Sequence, residues 1–342
     1  MTESKSTVSG TPATHVRMQG ALNLALKHAL AEDDRTLVFG EDVAKLGGVF
    51  RVTDGLQETF GIDRVFDSQL AEASIIGMAV GLALHGYRPI PEIQFDGFAY
   101  PAMNQIVTQM ARMNYRTRGA APMPITLRLP SFGGIRAPEF HGESLESVLA
   151  HVPGLKVVSP SSPNEAYQLL RQSIADPDPV VFMEPKARYW NKAEFDPHVP
   201  VSDYLPIGRS RAVRSGKHVT LIAWGAMVAK CLRAAELAEE DGVEIEVLDL
   251  RWLKPIDVAG LEESVSRTKR AVVVHEAPFS GGLGGEVSSI ITERCFDSLR
   301  APVQRVAGYD VPYPSGALED QYLPSVNRIL RAVQRVLEYR RG

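Results

Sequence analysis

The sequence predicts an alpha/beta protein of two domains, each a mainly parallel sheet with helices on both faces. Three observations point that way. Helical and strand patterns alternate from residue 17 to about residue 183, an aperiodic proline-bearing stretch follows, and the alternation then resumes to the end of the chain. Within the first unit, Met18, Ala21, Leu22, Ala25, Leu26 and Ala29 fall at helical spacing, and Thr36-Leu37-Val38-Phe39 reads as a buried strand ending at Gly40. A loop with Gly47-Gly48 leads to a short strand at residues 64–67 and a helix from about Ala71 to His85-Gly86. Residues 90–95 and 125–129 are strand candidates, with a helix expected between them at residues 101–112. Residues 155–160 form a strand running into Ser162-Pro163-Asn164-Glu165, where Ser162 caps a helix, Pro163 suits its first turn and Glu165 can close a capping box. Val180-Val181-Phe182-Met183 has the unbroken apolar run of a strand covered on both faces.

Between Pro185 and Pro206 tryptophan, asparagine, aspartate and proline crowd a segment without period. The domain division is therefore a Ser/Thr-rich disordered tail at 1–16, a first domain at 17–190, a linker at 191–206 and a smaller alpha/beta domain at 207–342. The second domain is expected to hold strands at 219–223, 245–250, 271–274 and 303–306. Its helices are expected at 227–240, 258–267 and 285–296.

Composition narrows the function classes. The 342 residues are 44% apolar and 23% charged, with a net charge of -4 and no basic stripe, which argues against a nucleic-acid partner. Cys231 and Cys295 lie far apart with no metal-ligand spacing, so neither a disulfide scaffold nor a zinc ribbon is expected. The longest strongly apolar run, residues 73–84, is well short of the roughly twenty residues that cross a bilayer. No secretory h-region precedes it, and the expectation is a cytoplasmic protein with no membrane span.

Chemistry concentrates around Glu72, at the mouth of a helix that is apolar nearly all round and so expected to be buried. A carboxyl at the edge of a dry region is suited to exchanging a proton with a bound heterocycle. The same residue could equally serve the helix dipole. Gly77 and Gly81, four apart, would permit close approach of another helix. Glu41 directly follows a strand, a common station for active-site residues in such sheets.

Several ordered motifs carry a family resemblance: Gly40-Glu41-Asp42-Val43, Leu70-Ala71-Glu72, Arg88-Pro89-Ile90-Pro91-Glu92-Ile93-Gln94-Phe95, His151-Val152-Pro153-Gly154, Glu184-Pro185-Lys186, His275-Glu276-Ala277-Pro278 and Gly308-Tyr309-Asp310-Val311-Pro312-Tyr313-Pro314. From about Met18 onward the chain resembles the beta subunits of the decarboxylating component of 2-oxo acid dehydrogenase complexes, of branched-chain or pyruvate type. The resemblance implies a thiamine-pyrimidine-binding first domain and a transketolase C-terminal-like second domain. It also implies that Glu72 hydrogen-bonds the aminopyrimidine of thiamine diphosphate, favouring the imino tautomer that deprotonates the thiazolium carbon. Phe98 matches the ring stacked on the aminopyrimidine and Gln94 a neighbouring pocket position, while Glu41, counted with the cofactor-binding residues, matches a member of a file of acidic groups that links two distant active sites. His141 matches a catalytic histidine near the bound intermediate, placed to orient the acyl acceptor or stabilise charge. For Phe98 and Gln94 ordinary packing is the competing reading. Asn104 departs from the family's acidic file between active sites, where aspartate is common, and an amide cannot relay a proton as a carboxylate can.

A potassium site matches Ile125, Thr126, Ser173, Asp176 and Asp178, although Asp176-Pro177-Asp178-Pro179 is equally an ordinary turn. No Gly-Asp-Gly diphosphate motif occurs anywhere in the chain. Magnesium and the diphosphate are thus expected to be held by an alpha subunit in an alpha-two, beta-two heterotetramer. The resemblance further implies a small 2-oxo acid substrate, branched-chain favoured, and a lipoyl acyltransferase core as acyl acceptor and partner. A pyruvate or acetoin dehydrogenase beta chain, a split transketolase half and an idle assembly subunit are the alternatives. The Gly281-Gly282-Leu283-Gly284-Gly285 loop lacks dinucleotide register and reads as a turn before a helix.

Overall fold

The computed structural model describes residues 14–314 and 316–340. Among them, seven strands form one sheet in the order Trp252–Lys254, Lys156–Val158, Val180–Pro185, Thr126–Ser131, Arg88–Glu92, Thr36–Gly40 and Val65–Asp67. Six are parallel, and Trp252–Lys254 adds to the edge antiparallel. Thr36–Gly40, Thr126–Ser131 and Val180–Pro185 are buried at every position, as strands covered on both faces must be.

Alternate residues of these strands feed two different cores, because successive side chains leave a strand on opposite faces. Val38, Val180 and Phe182 pack with Leu22 and Leu26 of helix Met18–Glu32 and Leu169 of helix Pro163–Ala175. Leu37, Phe39, Val181 and Met183 join Ile75, Ile76 and Ala79 of helix Glu72–Leu84. Ser162 accepts from the amide of Glu165 at 3.3 Å, and Pro163 opens the helix, a cap that contributes about 1 kcal/mol.

The second sheet has the order Gln304–Gly308, Ala271–Pro278, Val219–Ala223, Ile245–Asp249 and Arg211–Arg214, with only the last strand antiparallel. The two halves share one apolar core in which Leu129 and Phe132 meet Trp224, Leu250 and Leu283.

Four sequence expectations change. The tail was expected to run to residue 16; its residues 1–13 lie outside the described residues, and Thr14–Arg17 is a strand paired antiparallel with Lys192–Phe195. That partner lies in the stretch read as linker. Ladder hydrogen bonds between two distant segments satisfy backbone that has no apolar period of its own. The single helix expected at 101–112 is a tight three-residue-per-turn segment Asp96–Ala102, a short helix Met103–Gln105 and a wide turn Ile106–Met110. Pro101 cannot donate a helical hydrogen bond there.

Helix Glu72–Leu84 is not covered all round. Ile75, Ile76, Ala79, Val80 and Ala83 are buried, whereas Ser74, Gly77, Met78, Gly81 and Leu84 face outward. Among the described residues, nothing beyond the helix's own neighbouring backbone lies within 4 Å of where a Cβ on Gly77 or Gly81 would stand. Finally, Glu165 does not close a capping box. Its carboxylate pairs instead with the buried Arg251 and, at 2.8 Å, with Arg211, both from the second domain. A buried charge demands a partner more strongly than an end-of-helix amide does.

Candidate active site

The parallel strands deliver their C-terminal ends to one edge of the first sheet, and the residues named for the coenzyme and for catalysis gather there. Thr36–Gly40 hands over directly to Glu41, which is 7% exposed. Its carboxyl is pushed up to about 7, first by burial and then by the neighbouring charges of Glu72, Asp42 and Glu92. Its Oε1 is buried without a hydrogen-bond partner among the described residues. Glu72, the other half of this pair, stands half-buried as the first residue of its helix, where the aligned peptide dipoles favour an anion.

Gln94 follows strand Arg88–Glu92 and turns its amide onto the same corner. Its Nε2 donates to Asp42 Oδ2 at 3.0 Å and to the carbonyl of Glu41 at 3.4 Å. Phe98 lies half-buried on the tight turn Asp96–Ala102, edge-on to Phe95 and to His141 with ring centres 5.7 and 5.0 Å apart. The His141 ring also meets Phe95 at 4.4 Å. The Glu139 carbonyl, 2.9 Å from Nδ1, can only accept, so Nδ1 carries the hydrogen and Nε2 is the nitrogen left to accept or receive a proton. The site therefore has two faces, an acidic corner at Glu41 and Glu72 and an aromatic wall ending in a histidine.

Beneath this edge a charged network fixes the strands. Arg128 is fully buried and bidentate to Glu184, with contacts of 2.6 and 2.9 Å, and it also pairs with Glu92. Tyr189 donates to Glu184 at 2.6 Å. Three neighbouring strands are thereby tied just below the site, one guanidinium answering two carboxylates, of which Glu92 is pushed up first by burial and also by the charge of Glu184.

Two residues beside the site were given no role in the sequence, although Lys186 closes one of the family motifs. Asp96 is fully buried, its carboxyl pushed up to about 7 by burial against the opposing pull of Lys186. Lys186 lies 3.6 Å from it and 5.7 Å from the centre of the Phe95 ring. A lysine directly after strand Val180–Pro185, three residues beyond the apolar run Val180-Val181-Phe182-Met183, was the available signal, since a cation there has no easy route to solvent.

The residues named for potassium lie at the opposite, N-terminal edge of the sheet. Lys156 Nζ stands 2.7 Å from Asp176 Oδ1 and 3.0 Å from Asp178 Oδ2, and Asn114 donates to the other Asp178 oxygen at 2.8 Å. Ser173 Oγ donates to the Leu169 carbonyl, and the Ile125 carbonyl accepts from Val180. Among the described residues, Lys156 is the cation that answers both carboxylates. Asn104 is exposed, its carbonyl accepting from Thr108 at 2.6 Å.

Comparison with known proteins agrees with this architecture. Residues 14–191 match the family model "Transketolase, pyrimidine binding domain" and residues 208–329 match "Transketolase, C-terminal domain". The pyruvate dehydrogenase E1 component subunit beta of Leifsonia xyli is 51% identical over 322 residues, 94% of this chain and 95% of that protein. The 3-methyl-2-oxobutanoate dehydrogenase subunit beta of Mycobacterium tuberculosis is 51% identical over 321 residues, 94% of this chain and 91% of that one. This chain belongs to the 2-oxo acid dehydrogenase E1 beta subunits. A solved structure described as "Split gene transketolase, inactive beta4 tetramer" superposes on this beta subunit with a TM-score of 0.76 at 25% identity, covering 95% of this chain and 99% of that one. Among the described residues of the beta subunit, no helix is long and apolar enough to cross a membrane.

Proposed function

We propose that this beta subunit forms half of a divided active site for thiamine-diphosphate-dependent decarboxylation of a 2-oxo acid, branched-chain substrates first. The alpha subunit completes the site by holding the diphosphate and its magnesium. The observation that carries the reading is the corner at Glu41 and Glu72: two carboxyls at one sheet edge, one of them buried with an oxygen lacking a partner among the described residues. Such a corner, walled by Phe98, fits a flat heterocycle that needs hydrogen-bond partners around its rim. When bound, thiamine diphosphate supplies the carbon nucleophile and the electron sink for decarboxylation.

The chain's own residues do the rest. Glu72 shares a proton with a ring nitrogen of the aminopyrimidine, and Glu41, its carboxyl pushed up to about 7 by burial and by its acidic neighbours, hydrogen-bonds beside it with its negative charge reduced. Phe98 packs against the heterocycle and excludes water, while Gln94 holds the Asp42 corner in register. His141 Nε2 faces the acyl acceptor, where it orients a lipoyl arm carried by the acyltransferase core or stabilises developing charge. The fold likeness to a protein described as an inactive beta4 tetramer supports the expectation that a beta chain alone does not turn over. The two buried free thiols suit a reducing cytoplasm.

A second reading, pyruvate as substrate, is favoured by the Leifsonia relative, which carries that name at the same 51% identity as the 3-methyl-2-oxobutanoate enzyme. Reconstitution with the alpha subunit, followed by assays on branched-chain 2-oxo acids, pyruvate, acetoin and sugar phosphates, separates these possibilities. Highest kcat/KM on a branched-chain acid, and none without the alpha subunit, is expected. Preference for pyruvate would replace the substrate assignment, and turnover by the isolated chain would sink the divided site.

A further inference from the structure

The loop that carries His141 is shaped from outside its own domain. Phe132, Gly134 and Arg136 have φ values of 68°, 93° and 54°. A backbone that alternates hand in this way turns successive amides toward one concave side, an arrangement suited to holding anions. Carboxylates fill that concavity. Asp96 accepts from the amide of Phe132 at 3.2 Å, and Glu276 from that of Gly133 at 2.9 Å. Glu319 accepts from Gly134 at 2.8 Å with one oxygen and from Arg136 at 3.0 Å with the other.

Glu276 and Glu319 come from the second domain, and both are nearly inaccessible at 3% and 2% exposure. Charge-assisted bonds in such surroundings are among the stronger contacts a loop can have. Tyr313 joins them. Its hydroxyl donates to Glu319 Oε1 at 2.5 Å, and its ring is wedged between Gly133 and Gly142, where a Cβ on either glycine would collide with it. One aromatic side chain thus grips both ends of the loop, while Arg136, Pro138, Glu139 and Phe140 at its tip are exposed. His141 lies one residue from the gripped Gly142.

We propose that Glu276, Glu319 and Tyr313 form an interdomain clasp that positions His141, making the second domain a determinant of the step in which His141 faces the acyl acceptor. The inference rests on the role proposed above for His141. Three contacts to the loop amides and the wedged ring fix the loop without touching substrate, so these are positioning residues. Without them, a loop rich in glycine would spread over many conformations and present Nε2 in the right place only part of the time.

The test uses the reconstituted heterotetramer with Glu319→Gln, Tyr313→Phe, His141→Ala and the Glu319→Gln/His141→Ala double variant. Acylation of a free lipoyl domain is compared with decarboxylation read by an artificial electron acceptor, and hydrogen exchange is followed in peptides spanning 132–142. Glu319→Gln is expected to lower kcat for lipoyl acylation by about tenfold or more, with KM for the 2-oxo acid nearly unchanged, and to speed exchange in the loop. It should cost little further in the His141→Ala background, since both changes strike one unit. Tyr313→Phe keeps the wedge, loses one hydrogen bond and guards against a folding defect in the glutamine variant; a smaller loss of the same kind is expected. If His141→Ala lowers acylation while the clasp variants leave it intact, or if the effects add in full, the clasp is overturned. If His141→Ala itself leaves acylation intact, the reading of His141 falls and the positioning role falls with it.

Discussion

Glu41 with Glu72 and Asp176 with Asp178 are acidic pairs of one domain, set at opposite edges of one sheet. The first pair lies where parallel strands end. The second lies where they begin, between the close of helix Pro163–Ala175 and strand Val180–Pro185. At the beginning edge, Lys156 bridges both carboxylates, and although partial burial pushes Asp178 up, Lys156 and Asn114 hold it below the usual aspartate value. At the ending edge no lysine or arginine pairs with Glu41 or Glu72 among the ion pairs of the described residues. Burial and mutual repulsion instead raise Glu41 to about 7. Sequence alone shows two pairs of acids near turns; the structure adds an answering cation to one pair and none, among the described residues, to the other, which is the contrast on which the proposed proton exchange at Glu41 and Glu72 rests.

Removing the cation from the structural pair is the larger perturbation. Lys156→Met leaves Asp176, almost fully buried, facing Asp178 with only backbone and Asn114 contacts. Because Lys156 is about a quarter exposed, the loss is discounted from that of a fully buried pair to about 1–3 kcal/mol. A fall in Tm of a few degrees is expected, seen by calorimetry. An unchanged Tm would show that solvent or another group compensates, and the contrast between the two edges would lose its electrostatic basis.

The active-site pair predicts a smaller effect with the opposite sense. Glu41 has a folded pKa above its ordinary value, so the folded state binds the extra proton between about pH 4.5 and 7. Its contribution to stability is fully present below the ordinary value and is lost as pH rises through about 7. Glu41→Gln removes that dependence. Relative to the wild type, the variant should therefore gain Tm as pH rises from 5 to 8, while its activity with the alpha subunit falls. A constant Tm difference across that range would place Glu41 outside the proton economy of the site.

Legibility in the sequence followed locality. The central strands could be read because Val180-Val181-Phe182-Met183 and Thr36-Leu37-Val38-Phe39 are unbroken apolar runs, which only a doubly covered sheet accommodates. Thr14–Arg17, Lys192–Phe195, Arg211–Arg214 and Trp252–Lys254 could not, since edge strands of three or four residues owe their shape to a distant partner. Glu41, Gln94 and Phe98 stood out because each follows closely on a strand end or lies in a motif with family resemblance. The pairing of Asp96 with Lys186 did not, although Lys186 lies in a quoted motif, because a buried ion pair spanning 90 residues of chain leaves no local pattern. The clasp was hidden for the same reason: Glu319 meets amides about 185 residues away. The open face of helix Glu72–Leu84 marks a further limit, because hydropathy reports that a helix wants cover but not which chain provides it.

The account turns on Glu72, and one substitution tests it most directly. Glu72→Gln keeps the shape and the hydrogen-bonding rim but cannot exchange a proton as the carboxyl does. In the assembled complex with the alpha subunit, thiamine diphosphate and magnesium, the variant should bind coenzyme and retain its quaternary structure, while decarboxylation falls by about 100-fold or more. Turnover within a few-fold of the wild type would contradict the account, and would return Glu72 to the service of its helix dipole.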